Sequence, residues 1–244
     1  MPKLPAAALA QAFALATLFV MPDTLDAGEP PDQRLASYSE EIFVVGEGPA
    51  IAAVEPGEPV RLRFGAGELQ VLAGDSPELR AEIEVRCPPA RRALCGEAKR
   101  KLRVEPRRTT DGLELRMAGM RRQLLSRLQV SGTVVVPRDS PLDVKIGAGD
   151  VDIEAGDRDL TVRMMAGDLR IEGSRDQVAL ANARARFGDA AVHVDGRVHS
   201  RRKALVGARG QWSQEDGKGA QSIQARLRFG DARIVLEDVA PGGP

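Results

Sequence analysis

The sequence predicts an all-β protein of stacked short strands, forming a solenoid-like or two-sheet β domain with repeats of about 20 residues. Apolar and polar residues alternate over short runs bounded by Gly, Pro and Asp. A Gly followed by an acidic residue recurs along the second half. Aromatic residues make up only 3% of the 244, so aliphatic side chains must fill the core. This length suits one large β domain or two small ones.

The first 27 residues have the layout of a secretory signal peptide. Lys3 precedes an apolar stretch over residues 4–21, and the small residue Ala27 follows at a suitable cleavage point. The alternative is an uncleaved membrane anchor, because a stretch of this length just spans a bilayer. A proline, a glutamine and many alanines weaken it as a span. We therefore expect residues 1–27 to be removed, leaving residues 28–39 as a polar linker.

Residues 40–136 are predicted to form an N-terminal β region with a disulfide loop. The apolar residues of PVRLRF fall on one face, and ELRAEIEVRC, GLELRM and QVSGTVVVP continue the alternation. Helical turns fit only residues 90–101 and 119–128. This region is expected to form one continuous domain with the repetitive part that follows it.

The two cysteines bound a short basic loop, CPPARRALC. In an oxidising compartment, Cys87 and Cys95 would form a disulfide worth about 2–3 kcal/mol on the chain-entropy model. The alternatives are a redox pair or a metal pair. A redox pair favours the closer C-x-x-C spacing, and zinc needs two further ligands. The chain has only two histidines, His193 and His199, far along the sequence.

Residues 137–240 are predicted to form a repetitive, β-solenoid-like region. The Gly-acid pair falls at Gly149, Gly167, Gly188 and Gly230, at intervals of 18, 21 and 42 residues. The last interval is twice 21, and VGARGQW lies where a middle copy belongs. An earlier relative is FGAGELQV, over residues 64–71. Such a period predicts layers that share one continuous core.

Two octapeptides, ARARFGDA and ARLRFGDA, repeat 42 positions apart. The two-residue strand period predicts that Phe187 and Phe229 are buried core equivalents in parallel layers. Arg186 and Arg228 should face outward, in a row with other repeat arginines. The glycine after each phenylalanine should hold a turn.

Motifs for chemistry are sparse. The acidic turns suggest a calcium site, because calcium β-rolls repeat Gly and Asp in their turns. However, the paired glycines of those repeats are missing. The oxygen ligands in question are Asp150, Asp152, Asp157 and Asp159. The sequence shows no nucleophile elbow, P-loop, dinucleotide fingerprint or zinc-binding helix motif. We predict no catalytic, cofactor-binding or metal residue and no cofactor.

Charge is balanced over the whole chain, with 35 basic and 35 acidic residues, but not locally. Residues 86–127 contain thirteen basic and four acidic residues. A candidate patch for an anionic ligand lies in this segment: Arg91, Arg92, Lys99, Arg100 and Lys101. The alternative is a solvated edge, where Lys and Arg deter strand pairing. Export and the lack of interleaved aromatics argue against nucleic acid.

The run VVVPRDSPLDVKIGAGDVDIEAGDRDLTVRMMAGDLRIEG resembles the bacterial putative-adhesin, or toastrack-type, domain family. A V-x-V-P strand end, an alternating strand and recurrent G-D units carry the resemblance. It covers residues 134–194 and 229–236, and extends back to Val60. The resemblance implies a stacked β-solenoid-like domain at the cell envelope, with binding or scaffolding roles and no established catalytic residues. The Cys-bounded basic insertion and the Arg-rich strands depart from the family's pattern.

These observations predict an exported, non-enzymatic envelope protein, periplasmic, secreted or at the cell surface, that provides a binding, adhesion or scaffolding surface. The expected partner is an envelope protein or an anionic cell-surface polymer, with no nucleic acid and no transmembrane segment after signal cleavage. The alternative is an envelope glycan-active or metal-dependent enzyme on a β-solenoid. Carboxylates that converge in one pocket would favour the enzyme, and carboxylates scattered along turn rows would favour the binding protein.

Overall fold

The computed structural model describes residues 41–46, 49–125, 127–201, 206–214 and 219–238. The predicted signal peptide, 1–27, and linker, 28–39, lie outside the described residues. Within the described part, the strands join in one large sheet that does not close, which confirms the all-β class.

The strands, in chain order, are β1 (Glu41–Val44), β2 (Ala50–Ala53), β3 (Val60–Ala66), β4 (Glu68–Gly74), β5 (Glu78–Cys87), β6 (Arg103–Thr109), β7 (Gly112–Ala118), β8 (Gln129–Pro137), β9 (Leu142–Glu154), β10 (Leu160–Ser174), β11 (Val178–Phe187), β12 (Ala190–Val194), β13 (Arg197–Arg201), β14 (Ala208–Ser213), β15 (Gln221–Phe229) and β16 (Ala232–Glu237). A 3₁₀ turn (Pro89–Arg91) leads into helix α1 (Arg92–Lys101), and α2 spans Arg122–Leu125. Both helices lie in the segments where the sequence allows helical turns.

The repeating unit is a bent strand, here called a rung. In β9, residues 142–148 form a first arm, Gly149 forms the corner, and residues 150–154 form a second arm. Alternate apolar residues in both arms are buried. In the rungs of β10 and β15/β16, a Cβ at Gly173 of a second arm would lie 3.4 Å from Ile223 Cδ1 of a first arm. The two sets of arms therefore pack face to face around the core.

Five rungs stack in parallel, in the order β3/β4, β9, β10, β15/β16 and β11/β12. The register pairs Phe64 with Ile146, so FGAGELQV is an equivalent rung, as its sequence predicts. The expectation that VGARGQW holds a middle copy is wrong. That segment contributes β14, which pairs antiparallel with β11 at the edge of the sheet.

The stacking order departs from the chain order for a local reason. Asp195 and Gly196 both have positive φ, at 48° and 73°, and they reverse the chain into the antiparallel strand β13. The chain then returns along the outside as β14. The final rung, β15/β16, enters between β10 and β11/β12. The 42-residue interval therefore reflects an antiparallel detour, not a missing layer.

The corners form a column of glycines on neighbouring rungs. The column comprises Gly67, Gly149, Gly167, Gly230 and Gly188, all with positive φ. A Cβ on Gly167 would lie 1.9 Å from the carbonyl oxygen of Gly149. The same overlap recurs down the column, so each corner needs glycine for close backbone approach as well as for its φ.

The acidic residue after a corner ties one rung to the next. Asp231 Oδ1 accepts a hydrogen bond of 2.8 Å from the backbone N–H of Asp189, and Asp168 Oδ1 accepts one of 3.4 Å from Asp231. These carboxylates bridge adjacent corners. The recurrent Gly-Asp pair is thus explained by architecture at these positions.

Arg158 holds the turn between two rungs. Its side chain is buried and donates hydrogen bonds to three carbonyl oxygens: Val136 at 3.2 Å, Pro137 at 2.6 Å and Glu154 at 3.0 Å. Burial lowers the pKa of Arg158 to about 10, although the nearby Glu154 carboxylate opposes the shift. The guanidinium therefore stays charged at neutral pH and keeps all its donors.

We predict that Gly167→Ala destabilises the protein by more than about 4 kcal/mol, because the new Cβ collides with a backbone carbonyl that cannot move without its rung. Gly57→Ala is the matched control. Gly57 has φ +74° with open space where a Cβ would lie, so its cost should be only the backbone strain of about 1–2 kcal/mol. Urea denaturation would measure both free energies of unfolding. Equal losses would show that close packing at the corners is unimportant.

Candidate functional site

The basic patch predicted from the sequence lies on the 3₁₀ turn and on helix α1. Arg91 closes the 3₁₀ turn, Arg92 begins the helix, and Lys99, Arg100 and Lys101 form its last turn. Cations at the carboxyl end of a helix are stabilised by the helix dipole. This position supplies a structural reason for three of the five charges.

Several patch residues have partners within the chain. Lys99 pairs with Glu41 and lies 5.4 Å from the centre of the Phe43 ring. Lys101 pairs with Glu97 at 2.8 Å, and its hydrogen bond lowers the pKa of that carboxyl below its ordinary value. Arg91 donates to the backbone oxygen of Arg127. The patch as an anionic-ligand site stays a prediction.

Cys87 and Cys95 join strand β5 to helix α1. Both side chains are buried, the Cα atoms are 5.9 Å apart, and the two sulfurs are in bonding contact. This separation lies in the usual range for a disulfide. The pair is therefore able to form the bond that the short spacing predicts.

A longer basic feature crosses the outer face of the first arms. Seven cations lie in register on seven neighbouring strands, in the order Arg116, Arg63, Lys145, Arg163, Arg226, Arg184 and Arg209. At about 4.8 Å per strand, this cationic row spans about 29 Å. Arg186 and Arg228 lie two residues further along β11 and β15, on the same outer face. Both are exposed, as predicted.

Carboxylates accompany one end of the cationic row. Asp143 contacts Arg63 at 3.1 Å and Arg163 at 3.5 Å. Glu114 lies 3.9 Å from Arg63, and Glu105 lies 3.6 Å from Arg116. This end is therefore largely neutralised within the protein.

At the other end, the described residues provide no such compensation. We call this end the arginine cluster: Arg184, Arg186, Arg209, Arg226 and Arg228. Two of its members donate hydrogen bonds to neutral side chains: Arg184 to Asn182 at 3.3 Å, and Arg209 to Gln211 at 2.7 Å. Among the described residues, none of the five forms an ion pair with a carboxylate. Like charges directly opposite each other destabilise a sheet.

The two repeated phenylalanines lie beside the arginine cluster. Phe187 and Phe229 pair in register, as parallel equivalents should, and their rings stack with centroids 5.2 Å apart and planes 8° apart. The prediction that they are buried is wrong, since they are 37% and 44% exposed. Arg186 lies 5.5 Å from one ring centre and Arg228 lies 5.6 Å from the other.

The strand bend explains the error. Ala183 and Ala185 are buried in β11, as a two-residue period requires. Phe187 directly precedes the corner glycine, where the strand turns away from the core and the alternation ends. The equivalent positions on three other rungs hold Ala66, Ala148 and Ala166, none of which is buried. The position therefore faces outward in every rung.

Exposed apolar side chains cluster at this corner. Met165 is 49% exposed, and its sulfur lies 3.9 Å from a guanidinium nitrogen of Arg228. Val206 is 60% exposed and precedes Gly207, which donates a hydrogen bond to the carbonyl oxygen of Arg186. We call Met165, Phe187, Val206 and Phe229 the apolar corner.

The outer face of the second arms is acidic. A cavity of about 600 Å³ opens there and extends towards β5. The carboxylates that line it include Glu68, Asp150 and Asp152 on the second arms, and Glu82 and Glu84 on β5. The register places them in two rows across neighbouring strands. These carboxylates therefore share one cavity, which favours the enzyme alternative. They also lie in rows, which favours the binding protein.

The calcium alternative finds little support in the placement of its residues. Asp150 and Asp152 lie on a strand, and Asp159 accepts a hydrogen bond of 2.8 Å from the backbone of Ser222. In the described part of the chain, no group of three or more His, Cys, Asp or Glu residues is arranged to hold a metal ion.

Among the described residues, no helix is long and apolar enough to cross a membrane. No protein-family model and no curated protein matches the chain. The chain is similar to the crystal structure of a putative cell adhesion protein from Clostridium sporogenes ATCC 15579, with 14% identity and a TM-score of 0.45, over 83% of this chain and 100% of that one. At this distance, the resemblance to the putative-adhesin family stays a prediction.

We predict that Phe187→Ala costs about 1 kcal/mol of stability. The substitution removes the stacking partner of the Phe229 ring, but it removes little buried apolar surface. The matched control is Phe64→Ala, at a position only 7% exposed, where emptying the core should cost about 3–5 kcal/mol. Thermal unfolding of both variants would compare them. If Phe187→Ala proves as costly as Phe64→Ala, the ring is a core residue after all.

Proposed function

We propose that this chain is an exported, non-catalytic protein of the cell envelope, and that it binds an anionic partner on the outer face of its first arms. The observation that carries the proposal is the arginine cluster. Five arginines are held on adjacent strands without a described carboxylate partner.

Strand protection does not account for these charges. Cations on edge strands prevent edge-to-edge pairing, and Arg209 on the edge strand β14 fits that role. The other four arginines lie on β11 and β15, which have partners on both sides. Their mutual repulsion lowers stability, so a ligand that neutralises them supplies a reason for their presence.

Export is part of the proposal and is supported by the leader-like N-terminus and the paired cysteines. We expect the protein purified from its native host to begin after Ala27. Its intact mass should also be lower than that of the dithiol form by two hydrogen atoms, because Cys87 and Cys95 are bonded. A chain that begins at Met1, or two thiols that react freely with an alkylating agent, would contradict export.

Binding is tested by sedimenting the mature protein with envelope fragments from the same host. The wild type should bind at low ionic strength and dissociate as salt is added, because salt screens exposed charges. The double variant Arg184→Gln/Arg226→Gln should bind more weakly. The matched control is Arg170→Gln/Arg233→Gln, which removes two arginines that also face each other in register, but on the acidic face.

A further variant, Arg92→Gln/Arg100→Gln, tests the helical patch. A larger loss there would move the binding surface to α1. No association of the wild type with envelope material at any ionic strength would contradict the proposed function.

A second candidate is the glycan-active enzyme, and the acidic cavity favours it. Catalytic acids of glycosidases are kept protonated by burial. Of the five carboxylates named in the cavity, Glu84 is partly buried and the other four are exposed. We expect no reducing ends to be released from envelope glycans. Release by the wild type that is abolished in Glu84→Gln would establish the enzyme instead.

A further inference from the structure

We propose that the anionic partner is a lipid surface: the arginine cluster contacts anionic headgroups while the apolar corner inserts among them. This inference rests on the proposed function and names the ligand of the same surface. It requires two features in one place, namely cations that form no ion pair with a described carboxylate and exposed apolar side chains beside them.

The apolar corner distinguishes a bilayer from a soluble polyanion. A phosphate or carboxylate polymer needs cations only, and would leave two stacked phenylalanines exposed to water. Large exposed apolar side chains that lie together indicate a contact surface. Four of the eight large exposed apolar residues in the described part of the chain lie at this corner: Met165, Phe187, Val206 and Phe229.

Contacts join the cations and the apolar side chains into one surface. Arg228 reaches both the Phe229 ring and the Met165 sulfur, and Arg186 reaches the Phe187 ring. Peripheral binding to membranes commonly combines apolar insertion with attraction to anionic lipid. Here the arginines lie on the outer sheet face and the rings lie at its margin, so both features can engage one bilayer surface.

Strand pairing fixes where the two rings lie relative to each other. Phe187 and Phe229 come from β11 and β15, which pair in parallel along most of their length. The rings already stack on each other, and each is covered on one side by an arginine. Insertion therefore costs little side-chain entropy, which is a large part of the cost of ordering a flexible binding loop.

The test measures sedimentation of the mature protein with two kinds of vesicle, pure phosphatidylcholine and phosphatidylcholine mixed with phosphatidylglycerol. We expect binding to the anionic vesicles only. Each arginine near an anionic surface contributes about a fivefold change in affinity. Arg184→Gln/Arg226→Gln should therefore bind about 25-fold more weakly, and the control Arg170→Gln/Arg233→Gln should bind like the wild type.

The apolar corner is tested separately with Phe187→Ala/Phe229→Ala, which should lower affinity for anionic vesicles about tenfold through lost apolar burial. Its control is Ile51→Ala, which removes an exposed apolar side chain on β2. The melting temperature of each variant checks that the fold is retained. Soluble inorganic polyphosphate serves as the probe for a polymer, and sedimentation velocity serves as the probe for self-association.

Three results would overturn the lipid inference. The first is a wild type that does not sediment with anionic vesicles, and the second is a phenylalanine variant that binds as well as the wild type. The third is an arginine-dependent ligand that proves to be polyphosphate or a second copy of the chain. If binding to native envelope fragments still depends on the arginine cluster in any of these cases, the proposed function stands and only the lipid assignment falls. If that binding is also absent, both fail.

Discussion

The close approach of one backbone corner to the next is the constraint on which the rest of the structure depends. At Gly167 and Gly230, the space of a Cβ is taken by the carbonyl oxygen of the neighbouring corner. Any side chain larger than hydrogen would separate the rungs. Because the corners coincide, the arms on either side also stay in register, and the apolar residues of one rung pack on those of the next.

Register has opposite consequences on the two sides of the sheet. Inside, it places aliphatic side chains in continuous rows, which suits a core with few aromatics. Outside, it also aligns whatever the strands carry, including like charges that repel each other. The protein relieves this repulsion near Arg63 with Asp143, but it holds Arg184 and Arg226 opposite each other, and no described carboxylate pairs with either of them. Folding alone does not explain why the row is neutralised at only one of its ends.

Local rules of sequence predicted the strands, the corner glycines and the outward arginines, because each depends on residues a few positions apart. They could not predict that β15 inserts between β10 and β11, because that order depends on the chain reversal at Asp195. The sequence predicts a row of outward arginines from ARARFGDA and ARLRFGDA, but not which strands lie side by side in it, and therefore not the seven-strand cationic row. Phe187 was misassigned because the two-residue alternation was carried through a corner where the strand leaves the core.

Net charge conceals a strongly polarised molecule. The 35 basic and 35 acidic residues cancel in total, yet the first arms present arginines outward, while Asp150, Asp152, Asp168 and Glu172 lie on the outer face of the second arms. Near an anionic surface, one face is attracted and the other is repelled, so both forces favour the same orientation. That orientation also brings Phe187 and Phe229 to the surface. An anionic surface would thus select, from a chain of zero net charge, the orientation in which its exposed aromatic pair can be buried.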